Sequence, residues 1–360
     1  MSEGKTIGGI QTKGEKLIIS GPCSAETPEQ MFETTRQLHD LGKVDLLRAG
    51  IWKPRTRPNS FEGVGAEGLK WLKDAGQEFN LPVCAEVANG SHVEQALKAG
   101  LDVLWVGART TVNPFSVQEI ADALKGVSMP IMVKNPINPD LELWLGAIER
   151  IQLAGIENVT AIHRGFSSFE KTIYRNVPMW EIPIQLKLRR PDLPIICDPS
   201  HICGRRDLLK SVSQKAMDLA MDGLMIESHI SPEDAWSDAA QQITPKDLGT
   251  LLESLNARKV ESRDLNFLSH LENLRSQIDQ LDEKLIQTFA KRMEIAREIG
   301  MYKKENDITI LQANRWKEIY EARKTLAQSL GLSESFIDTL LTSIHQESIK
   351  QQNDVMNGWK

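Results

Sequence analysis

The chain has 360 residues, of which 41% are hydrophobic and 26% are charged, a composition typical of a globular protein with two or three domains. Its formal net charge is −6, from 43 basic and 49 acidic residues, which argues against nonspecific nucleic-acid binding. No apolar run approaches the ~18 residues of a membrane helix, and the N-terminus lacks the apolar core of a signal peptide. The four cysteines show neither CxxC nor disulfide spacing, so we expect a reducing, cytoplasmic location.

Short β-branched runs alternate with helical stretches up to about residue 255. Eight runs are predicted to be strands: 16–20, 44–48, 81–87, 102–108, 130–134, 159–164, 194–198 and 223–228. Their continuous apolar character indicates burial on both faces, as in a parallel sheet. Eight β/α units in about 240 residues predict an α/β fold of the (β/α)8 TIM barrel type. A doubly wound open sheet is the alternative, but no GxGxxG follows the first strand.

After residue 256 the apolar pattern becomes helical. From Leu265, apolar residues recur at spacings of three and four and predict an amphipathic helix to about Lys304, roughly 60 Å long at 1.5 Å per residue. Two further helices are predicted over about 312–329 and 333–354. The resulting domains are a barrel over 1–255, a linker over 256–266 and an all-α domain over 267–360.

Every predicted strand leads into a charged or metal-capable side chain. The carboxyl ends of TIM barrel strands form the catalytic face, so these groups are expected to meet. In chain order they are Cys23, Arg48, Glu86, Arg109, Lys134, Arg164, Asp198 with His201, and Glu227. One such ending is commonly a polar turn after a strand, but the repetition predicts a functional site.

These side chains divide into two chemical sets. The cations are Arg48, Lys53, Arg109, Lys134 and Arg164. Around one mouth they would repel each other, so they predict a ligand with several negative charges, such as a small phosphorylated acid. The second set combines a thiolate, an imidazole and carboxylates, which are donors for a divalent transition metal. Its members are Cys23, His201, Glu227 and Asp238. Because they come from different strands, we expect a catalytic ion with an open position.

Eight motifs together resemble 3-deoxy-D-arabino-heptulosonate 7-phosphate (DAHP) synthase of the shorter Iβ kind, over about residues 15–255. They are GPCS, LLRAGIWKPRTRPNSFEG, VGART, VKNP, HRGF, DPSH, IESH and SDAAQQ. That family condenses phosphoenolpyruvate with erythrose 4-phosphate and releases phosphate, as the first step of the shikimate pathway. The resemblance implies a divalent metal ion held by Cys23, His201, Glu227 and Asp238. Mn²⁺ is the preferred candidate, with Fe²⁺, Co²⁺, Zn²⁺ and Cd²⁺ as alternatives.

The same resemblance implies roles for the other residues. It puts Arg48, Lys53, Arg109, Lys134 and Arg164 around phosphoenolpyruvate. Glu86 is implied near the attacking water, and Asp198 near the hydroxyl or carbonyl end of the aldose. The motif KPRT implies that Arg55 and Thr56 hold the phosphate of the aldose. The catalytic candidates are therefore Lys53, Glu86 and Asp198. Arg57 departs from the family pattern, in which a small hydroxyl residue follows KPRT.

The helical tail contains a second candidate site. Arg292 and Lys303 lie 11 residues apart, about 1100° at 100° per residue, and so share nearly one helix face. Ser348 and Gln352 share a face at i, i+4 spacing, and Arg315 opens the second helix. These groups suit a dicarboxylate inside a helical bundle. A solvated face on a dimerising helix is the alternative.

The stretch LRSQIDQLDEKLIQTFAKRMEIAREIGMYKKEN, with the later NRW and ESIKQQ, resembles the all-helical AroQ class of chorismate mutase over about residues 265–354. That class converts chorismate to prephenate without an acid, a base or a cofactor. The implied site is Arg292, Lys303, Arg315, Ser348 and Gln352, with Arg275 from the other subunit. The catalytic candidates are Arg292, Lys303 and Gln352, the last two at the breaking ether oxygen. Gln312 and Trp316 depart from the pattern, since acids are frequent there.

The resemblance also implies an intertwined homodimer through the helical domain, and further association of dimers stays open. Only about 15 residues precede the first predicted strand, so any feedback is expected to use the tail or the barrel surface. We hypothesise that the mutase domain senses chorismate or prephenate and restrains the barrel.

Two alternatives to this functional assignment stay open. One alternative is a related enzyme that makes an eight- or nine-carbon sugar acid. The other is a noncatalytic dimerisation or regulatory tail. Neither nucleic acid nor a membrane is an expected partner.

Overall fold

The computed structural model describes residues 4–53, 61–256, 258, 265–311 and 313–358. The chain divides into two compact units, Met1–Val260 and Glu261–Lys360. Most of the predicted linker, 256–266, lies outside the described residues, so the predicted domain boundaries stay a prediction.

The first unit alternates strands with helices. Its strands are β1 (Thr6–Ile7), β2 (Ile10–Gln11), β3 (Leu17–Gly21), β4 (Leu46–Ala49), β5 (Val83–Val87), β6 (Val103–Val106), β7 (Ile131–Lys134), β8 (Val159–His163), β9 (Ile195–Cys197) and β10 (Gly223–Glu227). Its helices are α1 (Pro28–Leu41), α2 (Ala66–Glu78), α3 (Gly90–Lys98), α4 (Ala108–Thr111), α5 (Pro114–Ala123), α6 (Leu141–Leu153), α7 (Glu181–Arg189), α8 (Pro199–Cys203), α9 (Leu209–Asp218) and α10 (Pro245–Glu253).

Strands β3 to β10 form a closed parallel barrel in which each strand pairs with its neighbour in the chain and β10 closes on β3. The predicted TIM barrel is therefore confirmed, and all eight predicted strands belong to it. The open-sheet alternative is wrong, because Gly223 to Glu227 of β10 pair in register with Leu17 to Gly21 of β3.

Two-residue alternation along each strand divides the barrel core. Outward side chains such as Leu47, Val83 and Val133 pack in the layer between strands and helices. Inward side chains fill a second apolar cluster that includes Leu46, Cys84, Trp105, Met132, Ile162, Ile196 and Met225. Two positions further along the strands stand Arg48, Glu86, Lys134, Arg164, Asp198 and Glu227. The same alternation that builds the apolar core therefore aims these polar groups at the mouth.

A short hairpin precedes the barrel and was not predicted from the sequence. Strands β1 and β2 pair across Gly8 and Gly9, whose φ angles of 54° and 80° suit a type I′ turn. Ile10 is 4% exposed and belongs to the same apolar cluster as Leu17 and Ile19 at the start of the barrel. The hairpin thus contributes an apolar side chain to the barrel interior at the end opposite the charged mouth.

The second unit is all-helical, as predicted. It consists of α11 (Leu265–Glu305), α12 (Ala313–Ser329) and α13 (Glu334–Asn357), and both α11 and α12 pack on α13. The helices α11 and α13 approach closely at Gly300, where an added Cβ would lie 3.0 Å from Gln352 Cα. No helix in the described ranges is both long and apolar enough to cross a membrane.

Candidate active sites

The first candidate site is a cavity of about 290 Å³ at the carboxyl ends of the barrel strands. Its lining includes the predicted residues Lys53, Glu86, Arg109, Arg164, His201 and Asp238. Residues Arg48, Lys134, Asp198, Glu227 and Cys23 are fully or almost fully buried. The other three predicted residues of this region, Arg55, Thr56 and the departing Arg57, lie outside the described residues.

Two buried ion pairs join an arginine or lysine of the predicted site to one of its carboxylates. Arg48 Nη2 lies 3.2 Å from Glu227 Oε1, and Lys134 Nζ lies 2.8 Å from Asp198 Oδ2. Burial by itself raises the pKa of both carboxyls. The charges of His201 and Arg48 nevertheless hold the pKa of Glu227 below its usual value. His201 and Lys134 hold that of Asp198 well below its usual value. Both acids therefore stay ionised despite losing contact with water.

Unlike Arg48 and Lys134, Arg164 has no acid at ion-pair distance among the described residues. It is 7% exposed, and its Nη1 donates to Asn176 Oδ1 at 2.7 Å. Burial lowers its pKa to about 10, which leaves it positive at neutral pH. A buried cation held by neutral groups retains most of its attraction for an anionic ligand.

The motif DPSH has a local structural reason. Asp198 caps the short helix α8, with Pro199 at its first position, and accepts a hydrogen bond from His201 N at 3.1 Å. The turn returns the imidazole to the same carboxylate, with His201 Nδ1 2.8 Å from Asp198 Oδ2. The opposite ring nitrogen, His201 Nε2, lies 3.8 Å from Glu227 Oε1. Asp198 thus orients the histidine towards Glu227.

The four predicted metal donors meet in pairs. Cys23 Sγ lies 3.4 Å from Asp238 Oδ2, and His201 Nε2 faces Glu227. Lys53 Nζ lies 2.8 Å from the Cys23 sulfur. Burial and the nearby Glu227 charge raise the pKa of the Cys23 thiol to about 12.

The atom types of the four donors suit a borderline divalent ion, but the four side chains lie too far apart to bind one as they stand. Glu227 Oε1 is buried and has no hydrogen-bond partner in the described part of the chain, so it retains a free lone pair. Sulfur, imidazole nitrogen and carboxylate oxygen are the donors that such an ion binds. As they stand, no three His, Cys, Asp or Glu side chains among the described residues are grouped closely enough to hold a metal.

Three polar residues of the barrel site were missed by sequence reasoning. Arg175 pairs with Asp238 at 3.0 Å and donates to Gln241 Oε1 at 2.7 Å. Asn176 Nδ2 donates to the backbone oxygen of His201 at 2.6 Å. Gln241 Nε2 in turn donates to Glu227 Oε2 at 2.6 Å. The available signal was the polar pair Arg175–Asn176 within the long connection between β8 and α7.

Helices α11 and α13 form the second candidate site. Arg292 Nη1 donates to Ser348 Oγ, and Gln352 lies opposite Gly300. Gln352 Oε1 is buried and lacks a hydrogen-bond partner among the described residues. Lys303 Nζ donates to the backbone oxygen of Ile310 at 2.5 Å. Desolvation lowers the pKa of both Arg292 and Lys303.

The two remaining predicted cations of this unit contact acids on their own helices and not the Arg292–Ser348 pair. Arg315 pairs with Glu318 at 3.1 Å and Arg275 with Glu272 at 3.7 Å, each on its own helix. Trp316, one of the two departures from the family pattern, stacks on His345 with ring centroids 3.8 Å apart. The other departure, Gln312, lies outside the described residues.

The fold and the first site define a TIM barrel enzyme with a strongly cationic mouth for an anionic substrate, joined to a helical unit with its own cationic site. The DAHP synthetase I family model matches residues 3–263, and the chorismate mutase type II model matches residues 274–353. The chain therefore belongs to the DAHP synthetase I family and carries a chorismate mutase domain. The predicted combination of a transferase and an isomerase in one chain is confirmed.

Individual relatives agree for the barrel. Phospho-2-dehydro-3-deoxyheptonate aldolase of Thermotoga maritima is 34% identical over 230 residues, covering 64% of this chain and 66% of the relative. A 2-dehydro-3-deoxyphosphooctonate aldolase of Geotalea daltonii is 26% identical over 272 residues, covering 70% and 96%.

Solved structures give the same result. The crystal structure of the Thermotoga maritima DAHP synthase matches with a TM-score of 0.61 and 32% identity, covering 68% of this chain and 69% of that one. A truncated form of the Thermotoga maritima enzyme matches with a TM-score of 0.60 and 28% identity, covering 70% and 90%.

Proposed function

We propose that the barrel catalyses the metal-dependent condensation of phosphoenolpyruvate with erythrose 4-phosphate to DAHP and phosphate. We also propose that the helical unit converts chorismate to prephenate. The observation that carries the first assignment is the convergence of Lys53, Arg109 and Arg164 on one cavity, above the buried pairs of Arg48 and Lys134. Two phosphorylated substrates supply the negative charges that such a mouth requires.

In this proposal the cations hold the two polyanions together against their mutual repulsion and fix their geometry. Arg48, Lys134, Arg164, Arg109 and Lys53 bind the phosphate and carboxylate of phosphoenolpyruvate. Its C3 attacks the aldehyde carbon, water adds at C2, and phosphate leaves. Glu86 lies near the water that adds, and Asp198 near the aldose. Arg55 and Thr56 remain the proposed ligands of the aldose phosphate.

A divalent ion, with Mn²⁺ preferred, is proposed to bind Cys23, His201, Glu227 and Asp238. When bound, it would supply Lewis-acid polarisation of the aldehyde oxygen. Glu227 Oε1 is buried and accepts no hydrogen bond in the described part of the chain, and Asp198 orients His201; both features support this ligand set. Burial otherwise keeps the Cys23 thiol neutral, so the thiol would have to lose its proton for the sulfur to bind the ion.

The choice of aldose separates the proposal from its main rival. The heptonate relative is more similar than the octonate relative, 34% against 26% identity, which favours a four-carbon aldose phosphate. The test is to supply phosphoenolpyruvate with either erythrose 4-phosphate or a five-carbon aldose phosphate, and to identify the product by mass. Turnover with the four-carbon aldose alone supports the proposal, and turnover with the five-carbon aldose alone refutes it.

For the helical unit, the proposed mutase site consists of Arg292, Lys303, Arg315, Ser348 and Gln352. Catalysis would come from holding a compact conformer of chorismate, with Lys303 and Gln352 at the ether oxygen where charge develops. Gln352 Oε1 is buried without a hydrogen-bond partner among the described residues, one helical turn from the Ser348 that Arg292 contacts, and this supports a polar ligand there. Chorismate consumption by the purified chain tests this assignment against a noncatalytic tail.

The proposed mutase dimer rests on one apolar face of α11. Leu274, Ile278, Leu281 and Leu285 recur at spacings of four and three, and each is 44–58% exposed. A second copy of α11 would bury this face and bring Arg275 into the partner's site. The test mixes inactive Arg275→Ala subunits with inactive Arg292→Ala subunits. An intertwined dimer regains about a quarter of the mutase activity because the mixed dimers carry one intact site. If the mixture stays inactive after the subunits have exchanged between dimers, the two subunits do not share a site.

We also propose that the mutase unit regulates the barrel by binding chorismate or prephenate. Such regulation requires different affinities for the ligand in two global states of the protein. Deletion of residues 256–360 should remove any inhibition of condensation by prephenate. An unchanged response of the shortened barrel would exclude the helical unit as the sensor.

A cytoplasmic location also remains a proposal. All four cysteines are free and buried, which agrees with a reducing environment.

A further inference from the structure

Trp105 occupies the level at which the apolar interior of the barrel meets the charged mouth. It lies on β6, is 0% exposed and belongs to the same interior cluster as Cys84 and Met132. Its register partner on the neighbouring strand β5 is Glu86, the acid on the cavity wall. An aromatic residue in a strand is ordinarily a packing residue, but this one contacts three charged groups.

The indole holds Glu86 through a hydrogen bond. Trp105 Nε1 donates to Glu86 Oε2 at 2.9 Å. The other carboxylate oxygen lies beside Gly107, where an added Cβ would be only 2.2 Å from Glu86 Oε1. The carboxylate therefore accepts a hydrogen bond on one side and occupies, on the other, space that a side chain at position 107 would fill.

Two cations also lie over the indole ring. Arg48 Cζ is 5.0 Å and Lys134 Nζ is 5.7 Å from the ring centroid. Arg48 Nε and Nη1 are buried and have no hydrogen-bond partner in the described part of the chain. Attraction to the ring stabilises this guanidinium without occupying its N–H groups, so those donors stay free for an anionic substrate.

We propose that Trp105 is a positioning residue for the condensation, acting through Glu86 by its N–H and through Arg48 and Lys134 by its ring face. This inference rests on the proposed barrel function and deepens it. Two separate effects follow, since the N–H bears on the group near the attacking water, whereas the ring bears on the groups that bind phosphoenolpyruvate. Different substitutions can therefore separate them.

The test compares Trp105→Phe and Trp105→Leu in the full chain, with Mn²⁺ present. Phenylalanine keeps an aromatic face but has no N–H, so kcat should fall about tenfold to a hundredfold with KM for phosphoenolpyruvate within about twofold. Leucine removes the ring face as well, so KM should rise about tenfold in addition. Wild-type kcat for Trp105→Phe would overturn the inference.

The matched control is Trp144→Phe. Trp144 is also 0% exposed, and its Nε1 donates to Val133 O at 3.1 Å, but it lies on helix α6 outside the barrel. It should lose stability as Trp105→Phe does while kcat and KM stay within about twofold of wild type. Equal kinetic losses in the two variants would show a merely structural role and overturn the inference. Chorismate turnover in the same samples reports the amount of active chain.

A double-mutant cycle with Glu86→Gln tests the route of action. If Trp105 acts on kcat through Glu86, adding Trp105→Phe to Glu86→Gln should cause no further loss of kcat. Losses that multiply would contradict that route. Failure of the proposed function is distinguishable, because the wild-type chain would then form no DAHP, whereas failure of this inference leaves wild-type turnover intact.

Discussion

Arg48 and Glu227 form a buried ion pair at the barrel mouth, with Arg48 Nη2 3.2 Å from Glu227 Oε1 and the side chains 2% and 0% exposed. The pair joins the proposed phosphoenolpyruvate site to the proposed metal site. Burial of either charge alone is unfavourable, because neither is hydrated. The two sites are therefore coupled in stability as well as in chemistry.

Removal of one partner of this pair should be severely destabilising. We expect Arg48→Met to lower the free energy of unfolding of the barrel by about 3–5 kcal/mol, since it leaves the Glu227 carboxylate uncompensated. The double variant Arg48→Met/Glu227→Leu should recover much of that loss, with condensation still absent. Urea unfolding of both variants measures this. A double variant as unstable as the sum of the two single changes would contradict the coupling.

Cys23→Ala should abolish tight metal binding and condensation. The variant removes the only sulfur donor of the proposed set, and metal content by mass spectrometry together with DAHP formation checks the result. Cys197→Ala is the control, because Cys197 is equally buried but belongs to the outward-facing core. It should keep its metal. A Cys23→Ala variant that is fully active without metal would remove the ligand assignment.

Gly107→Ala should displace Glu86 without unfolding the barrel. The new Cβ would lie 2.2 Å from Glu86 Oε1, while the residue's φ of −72° is acceptable for alanine. We expect condensation to slow by about tenfold or more. Gly146→Ala on α6 is the control, since no atom of the described residues lies within 4 Å of an added Cβ there, and it should leave the rate unchanged. A normal rate for Gly107→Ala would mean that the position of Glu86 is unimportant.

The mutase should lose activity in alkali at a lower pH than a free lysine predicts. Desolvation lowers the pKa of Lys303 from 10.5, and the proposed role requires its protonated form. As pH rises through that lowered pKa, the cation and the activity are lost together. Arginine stays charged over this range, so any active Lys303→Arg variant should lack the alkaline decline. The rate against pH for both proteins measures this, and identical profiles would exclude Lys303 as the titrating group.

The barrel strands were predictable from the sequence because continuous apolar runs ended in polar groups at regular intervals. Two-residue alternation along the strands is also the reason that Arg48, Lys134 and Glu227 share one face. The long helix α11 was also predictable, because its apolar residues recur at spacings of three and four.

Other features had no periodic signal. Arg175 and Asn176 enter the barrel site from a long connection, whose course depends on tertiary contacts. Trp105 resembled an ordinary strand residue, and only the register between β5 and β6 pairs it with Glu86. Strands β1 and β2 contain two residues each, too few for a pattern, although Gly8–Gly9 marks the turn.

The most direct test assays both reactions in one purified sample, with and without EDTA. Chelation is expected to stop the condensation of phosphoenolpyruvate with erythrose 4-phosphate, and added Mn²⁺ is expected to restore it. The conversion of chorismate to prephenate should continue at an unchanged rate, because only side chains of the protein act in it. Condensation that survives complete removal of metal, or loss of both reactions together, would show that the barrel reaction is not the one that depends on a bound metal ion.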